Sequence, residues 1–169
     1  MTPWLSTHPA QTLDLGRRLG QLARPGDVFA LDGELGAGKT QLVRGLAQGM
    51  GLDPAAVSSP TFVLMHEYLD DERPDATPLL HLDAYRLSSP DDLAALGFDA
   101  SLREQSVTAV EWAARLTAPP ASPADTFGPD RLHLVLEHYA ESARRITFHP
   151  HGRWAAALPD LLTTLRPTP

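Results

Sequence analysis

The sequence contains 169 residues, of which 43% are apolar, and a chain of this length can bury a core as one domain over residues 1–169. Its 14 basic and 21 acidic residues give a formal net charge of −7. This charge argues against an autonomous nucleic-acid or anionic-membrane binder, because such a surface repels phosphates. The absence of cysteine excludes disulfides, thiolate metal sites and thiol nucleophiles.

The N-terminal part of the chain predicts a helix, a strand and a second helix in succession. Ser6 or Thr7 can cap a first helix, which stops before Pro25. The short apolar run 28–31 is typical of a buried strand. Residues 39–50 place apolar side chains on one side and predict an amphipathic helix that begins directly after a run of glycines.

The remainder of the chain predicts further short strands and helices. Strands are predicted over 61–69, 79–83, 107–112, 132–139 and 144–149. Helices are predicted over 90–96, with Ser89 as the cap, over 113–116 and over 153–165. Proline-rich composition predicts a surface loop at 118–129 and a tail at 166–169.

Strands that alternate with helices are typical of α/β proteins, and the last two predicted strands have the spacing of a hairpin. We therefore expect an α/β fold with a mostly parallel central sheet, covering helices and a C-terminal antiparallel hairpin at one edge. No segment approaches the roughly 20 apolar residues that span a bilayer, and the N-terminus lacks the features of a secretory signal. We expect a cytoplasmic protein with no membrane contact.

A phosphate-loop motif lies between the first predicted strand and the second helix. It matches G-x-x-x-x-G-K-[ST] with Gly33, Glu34, Leu35, Gly36, Ala37, Gly38, Lys39 and Thr40. Glycines let backbone N–H groups approach phosphate oxygens, and the next helix presents its unpaired N–H groups to the same anion. Lys39 supplies a charge for the β and γ phosphates, and the Thr40 hydroxyl is a ligand for Mg²⁺. A chance tight turn is the alternative, but the strand before the motif and the helix after it favour a nucleotide site.

Two acidic residues follow apolar runs that parallel strands would bring to the phosphate-loop edge of the sheet. Asp83 ends the run 79–82, where its carboxylate can hold Mg²⁺; a turn cap before Ala84 is the alternative. Glu111 ends the run 107–110. If the bound nucleotide is hydrolysed, a carboxylate there can orient or deprotonate the water that attacks the phosphate, or it can contact the metal. We assign catalytic roles to Lys39, Asp83 and Glu111.

Three further residues have a functional and a purely structural interpretation. Thr61, in a loop after the second helix, can bind Mg²⁺ or sense the γ phosphate, or it can belong to an ordinary turn at Pro60. Trp112 can stack on a base, brace a loop or pack in the core. His81 shares a strand face with Asp83, which permits a supporting role, although a packed core histidine fits equally well.

Four segments, GELGAGKT, SPTFVLMHEY, HLDAYRL and VEW, together resemble the bacterial TsaE (YjeE) family. The family's Walker A residues fall on Gly33, Gly36, Gly38, Lys39 and Thr40. Its switch-like threonine, Walker B aspartate and sensitive Glu-Trp pair fall on Thr61, Asp83, Glu111 and Trp112. The sequence departs from the family's usual residues at Glu34, Gln41, Ala84 and Ala113, and none of these changes removes a phosphate or metal ligand. Gln41 is therefore still counted among the nucleotide-binding residues.

The resemblance implies a P-loop ATPase with ATP and Mg²⁺ as cofactors, required for threonylcarbamoyladenosine modification of tRNA. Its implied partners are homologues of TsaB and TsaD, which form a heterodimer, and tRNA would be reached indirectly through that complex. The residues alone leave two other functions open: a small-molecule kinase, and a switch subunit that binds ATP without needing to hydrolyse it. A GTPase is disfavoured because no N-K-x-D guanine motif is present.

Overall fold

The computed structural model describes residues 3–60, 64–70, 72–117 and 122–165. Within these residues the strands are β1 (Trp4–Ser6), β2 (Val28–Asp32), β3 (Met65–Tyr68), β4 (Leu79–Asp83), β5 (Val107–Glu111), β6 (Arg131–His138) and β7 (Arg144–Pro150). The α-helices are α1 (Pro9–Leu22), α2 (Lys39–Gly49), α3 (Pro90–Ala95), α4 (Ala100–Gln105), α5 (Pro123–Phe127) and α6 (Trp154–Thr164). Short 3₁₀ turns occupy Pro54–Ala56 and Ala113–Leu116.

The strands form one sheet in the order β1-β7-β6-β2-β5-β4-β3. The four central strands, β6, β2, β5 and β4, run parallel, whereas β7 pairs antiparallel with β6. This confirms the predicted α/β fold with a mostly parallel centre and a C-terminal hairpin. The structure adds one strand to the prediction, β1, which pairs antiparallel with β7, and it shows that the strand predicted over 61–69 pairs antiparallel with β4 as β3.

Strand β2 is the middle strand of the sheet, and both of its faces are covered. Phe29 and Leu31 pack into the core on one face of the sheet, whereas Val28 and Ala30 pack into a second core on the other. This explains the uninterrupted apolar run in the sequence. The phosphate-loop motif begins where this strand ends.

Helix α2, which follows the phosphate loop, is held unusually close to α1. A Cβ atom on Gly45 would lie 2.1 Å from the Leu13 carbonyl oxygen, and one on Gly16 would lie 2.2 Å from the Leu42 carbonyl oxygen. Glycine is required at both positions because the helix backbones leave no room for a side chain. The start of α2 is thereby fixed against a second rigid element.

Some predicted boundaries are wrong. The cap of α1 is His8, whose Nδ1 accepts a hydrogen bond from Ala10 N–H, because Ser6 is taken up by β1. The loop predicted at 118–129 contains α5, which ends in the buried Phe127; residues 118–121 lie outside the described part, as does the predicted tail at 166–169. The strand predicted over 61–69 begins at Met65 among the described residues. In the described ranges, no helix has the length and apolar character needed to cross a bilayer.

Candidate functional site

The carboxyl ends of three parallel strands bring two acidic residues next to the phosphate loop. Asp83 at the end of β4 lies opposite Glu111 at the end of β5, and Glu111 also pairs with Leu31 of β2. Both carboxylates are nearly buried, with 3% of Asp83 and 4% of Glu111 exposed. The sheet therefore brings together the two acidic residues that the sequence singled out.

The phosphate loop has a backbone shape that depends on its glycines. Gly36 and Gly38 have φ values of 75° and 103°, in the left-handed region that L side chains rarely adopt. Gly38 caps α2 and supplies no side-chain hydrogen bond, so the first N–H groups of the helix have no side-chain cap. Free N–H groups at a helix N-terminus favour an anion.

Lys39 is the only lysine in the sequence, and 5% of it is exposed. Its Nζ donates hydrogen bonds to the carbonyl oxygens of Gly33, at 2.7 Å, and Glu34, at 3.0 Å. Burial lowers the pKa of Lys39, while the nearby carboxylates of Glu111, Asp83 and Asp32 act in the opposite direction. The loop thus holds a largely desolvated amine beside a group of carboxylates.

Glu111 is tied to the loop and to the sheet through one oxygen atom. Its Oε1 accepts a hydrogen bond from Thr40 Oγ1 at 2.8 Å and lies 2.9 Å from His81 Nε2. Burial alone would raise the pKa of Glu111, but the His81 contact, the Thr40 hydroxyl and the Lys39 charge hold it below its ordinary value. Glu111 is therefore a carboxylate at neutral pH.

The two interpretations that the sequence left open for Asp83 are compatible in the structure. Its Oδ1 accepts a hydrogen bond from Tyr85 N–H at 2.8 Å, as a turn cap would. The residue also lines the cavity in front of the phosphate loop. The turn bond fixes the carboxylate at the cavity wall without removing it from the site.

Trp112 covers the lysine. Its ring centroid lies 4.0 Å from Lys39 Nζ, and its backbone is left-handed, with φ 61°. The Asp32 carboxylate stabilises this turn by accepting a hydrogen bond from Ala114 N–H at 3.1 Å, while His133 Nε2 donates to it at 2.7 Å. Trp112 is partly buried and packs against one of the two core clusters, and it also lines the cavity in front of the loop, so its stacking on a base stays a prediction.

Sequence reasoning missed two residues of this region. Asp32 ends β2 directly before the loop, a position that could have marked it as a residue of the carboxyl edge. Tyr85, two residues after Asp83, is 52% exposed and packs its ring against Trp112 at 5.2 Å between centroids. The signal in the sequence was a tyrosine in the loop directly after a predicted strand, where functional residues often lie.

A cavity of about 530 Å³ joins these residues. Its described lining consists of Leu35, Gly36, Gly38, Lys39, Thr40, Gln41, Ser59, Asp83, Tyr85, Glu111 and Trp112. Of the other predicted nucleotide-binding residues, Gly33 and Glu34 contribute carbonyl oxygens to Lys39, and Ala37 is buried in the core. Thr61 lies outside the described residues.

The chemical groups around the cavity suit a nucleotide polyphosphate and a hard cation. Lys39 and the N-terminus of α2 provide positive potential for phosphate oxygens. Thr40, Asp83 and Glu111 provide a hydroxyl and two carboxylates, the oxygen ligands that Mg²⁺ prefers. The set therefore fits the predicted cofactors.

Comparisons with known proteins agree with this architecture. The family model for threonylcarbamoyl adenosine biosynthesis protein TsaE matches residues 6–146. The chain is 43% identical to tRNA threonylcarbamoyladenosine biosynthesis protein TsaE of Streptomyces coelicolor, covering 85% of this chain and 94% of that protein. It is 35% identical to the Bacillus subtilis protein of the same name, covering 88% and 85%.

A solved structure has the same fold over nearly the whole chain. The crystal structure of Bacillus subtilis YdiB superposes with a TM-score of 0.71 at 30% identity, covering 96% of this chain and 94% of that one. The family model, the two relatives and this fold lead to one conclusion: the chain belongs to the TsaE family.

Proposed function

We propose that this chain is a Mg²⁺-dependent ATPase that supports threonylcarbamoyladenosine modification of tRNA, acting with homologues of TsaB and TsaD in the cytoplasm. One observation carries the proposal. Lys39, Asp83 and Glu111 come from three separate segments and meet in a single cavity in front of a glycine-shaped helix N-terminus. Phosphoryl transfer depends on this kind of positioning and electrostatic stabilisation.

The chain's own residues divide the work. The N–H groups of the loop and the start of α2 bind the phosphates, and the Lys39 ammonium neutralises charge that develops on them. Glu111 orients the attacking water and accepts its proton, a role for which its lowered pKa keeps it ionised. Trp112 excludes water from one side of Lys39.

Thr40 and Asp83 are the residues that would hold Mg²⁺, with Glu111 beside them. The metal, when bound, neutralises phosphate charge during transfer. Thr61 remains a predicted γ-phosphate or metal contact. Leu35, Gly36 and Gln41 belong to the nucleotide-binding wall.

The net charge of −7 supports a division of labour in which partners hold the tRNA, because an acidic surface repels a polyanion. The names of the relatives place them in threonylcarbamoyladenosine biosynthesis, and we extend that role to this chain. Because partners would complete the site, we expect the chain alone to hydrolyse ATP slowly.

The single lysine permits a direct test of nucleotide binding. An amine-reactive ATP derivative should label Lys39 and, elsewhere in the chain, only the N-terminal amine, and excess Mg-ATP should protect Lys39. Lys39→Arg removes the reactive amine and serves as the control. Labelling of Lys39 that ATP does not prevent would contradict a nucleotide site.

Hydrolysis and partnership need separate measurements. Phosphate release should rise when TsaB and TsaD homologues are added, and both should co-purify with the chain in at least one nucleotide state. Phosphorylation of a metabolite instead of phosphate release would support the kinase alternative. Equal complex formation and function with a non-hydrolysable analogue would support the switch alternative, and no association in any nucleotide state would remove the tRNA role.

A further inference from the structure

His81 is a buried polar residue that the proposed mechanism does not use. It lies in the middle of β4, paired with His66 of β3 on one side and Ala109 of β5 on the other. None of its surface is exposed. A buried imidazole costs free energy unless its polar atoms are bonded, so its contacts indicate why it is there.

One ring nitrogen of His81 has a partner and the other has none. Nε2 lies 2.9 Å from Glu111 Oε1, whereas Nδ1 is buried with no hydrogen-bond partner among the described residues. Because Glu111 is a carboxylate and can only accept, the proton must lie on Nε2. A ring that carries its proton on Nε2 alone leaves a lone pair unpaired at Nδ1, which costs less than an unpaired N–H donor in the same place.

The ring cannot easily turn away from Glu111. Strands on both sides enclose it, and the Tyr68 ring lies against it at 6.3 Å between centroids. Tyr68 is itself fixed through its hydroxyl, which donates to the Ser58 carbonyl oxygen at 3.3 Å. The donor that faces Glu111 therefore belongs to the rigid sheet.

Thr40 is the other donor to the same oxygen, but it lies on the helix that carries the phosphate loop. Thr40 is also a proposed metal ligand, so its hydroxyl would have to coordinate Mg²⁺ as well as donate to Glu111. The His81 contact does not depend on the loop. With Oε1 held from within the sheet, the rest of the Glu111 carboxylate is free to face the cavity that the residue lines.

We infer that His81 is a positioning residue for Glu111, whose Nε2–H fixes one carboxylate oxygen so that the other is presented to the attacking water. The inference rests on the proposed ATPase function and deepens it. His81 is not among the described residues that line the cavity, so it would act through Glu111 alone. Its loss should therefore slow the chemical step without weakening nucleotide binding.

The test compares His81→Leu, which removes the donor, with His81→Gln, whose amide N–H can reach the same place. His66, directly opposite on β3, supplies matched controls as His66→Leu and His66→Gln. ATP affinity and single-turnover phosphate release are measured with homologues of TsaB and TsaD present. We expect His81→Leu to slow release roughly tenfold to a hundredfold, with ATP affinity unchanged, and His81→Gln to recover most of the rate.

Unchanged release in His81→Leu would overturn the inference, and so would equal loss in the Leu and Gln variants. Histidine side-chain ¹⁵N spectra of the wild-type protein, assigned through side-chain-to-backbone correlations, keep the test valid if a variant does not fold. A proton on Nε2 supports the inference, whereas a proton on Nδ1 alone contradicts it. Absence of hydrolysis by the wild-type complex would instead refute the proposed function, with the spectra still deciding the geometry of His81.

Discussion

Two buried carboxylates at opposite ends of the central sheet serve different purposes. Asp27 lies just before β2 and is 1% exposed, and Glu111 ends β5 and is 4% exposed. Both have basic or hydrogen-bonding partners from distant parts of the chain. Burial of a carboxylate does not by itself distinguish a structural residue from a functional one.

The contacts of Asp27 all serve the fold. It accepts hydrogen bonds from Arg153, from Trp154 Nε1 at 3.1 Å and from Arg24 N–H at 2.7 Å. These bonds fasten the start of α6 to the start of β2. Every direction around the carboxylate is filled by protein.

Glu111 differs because its side-chain hydrogen bonds to the described residues converge on one oxygen, Oε1, and because the residue lines a cavity. A buried acid with one side facing a cavity is therefore a better candidate for a catalytic residue than a buried acid that is enclosed by protein. A satisfied acid enclosed on all sides stabilises the structure. Substitution of Asp27 should therefore lower the free energy of unfolding, whereas substitution at the Glu111 end of the sheet should lower activity.

The largest expected effect on stability is that of Asp27→Ala. It leaves the Trp154 N–H without its acceptor and the Arg153 guanidinium with only the Leu22 carbonyl oxygen, and loss of one partner of a largely buried pair costs about 3 kcal/mol. Urea denaturation followed by circular dichroism measures this loss, with the exposed Asp75→Ala as control. The folded protein should still bind ATP normally. A free energy of unfolding close to that of the wild type would contradict the structural role assigned to Asp27.

At the Glu111 end of the sheet, the largest expected effect on activity is that of Lys39→Met. Removing a preorganised cation from a phosphate site reduces the rate by roughly 100-fold to 1,000-fold. The change should affect ATP hydrolysis far more than the free energy of unfolding. Arg145→Met, at an exposed side chain of β7 that does not line the cavity, is the control that should keep activity.

The smallest expected effect is that of Asp14→Asn, at a carboxylate that is 39% exposed beside Arg17 and Arg18. Burial is the largest single influence on the pKa of Asp14 and raises it, but the hydrogen bonds and charges of both arginines together hold this pKa below its ordinary value of 3.8. The wild-type advantage is therefore present above pH 3.8 and is lost as the pH falls through the lowered pKa. Exposed pairs contribute only about 0.5 kcal/mol.

Urea titrations of both proteins between neutral and acidic pH, at low and high salt, measure this difference. Added salt should reduce it. A wild-type advantage that grew on acidification would have the wrong sign and would contradict the assigned ion pairs.

Local patterns made the arrangement of the candidate site predictable from sequence. The strand, the phosphate loop and the helix are consecutive, and Asp83 and Glu111 each end an apolar strand, so parallel pairing alone places them at one edge. The hairpin was predictable because its two strands are also adjacent in sequence.

Contacts between distant segments were not predictable. The bonds of Asp27 with Arg153 join residues 126 positions apart. Ser6 fails as a helix cap because it joins β1, whose partner Arg144 lies near the other end of the chain. The Asp32 carboxylate likewise finds Ala114 N–H only after β2 and β5 have paired.

Glu111→Gln provides the most direct test of the ATPase assignment, because it removes the carboxylate charge and keeps the size of the side chain. ATP affinity and single-turnover phosphate release should be measured with Mg²⁺ and with homologues of TsaB and TsaD. We expect affinity close to that of the wild type and phosphate release slower by roughly 100-fold or more. Phosphate release at the wild-type rate by a variant that binds ATP normally would contradict the assignment of Glu111 as the residue that activates water.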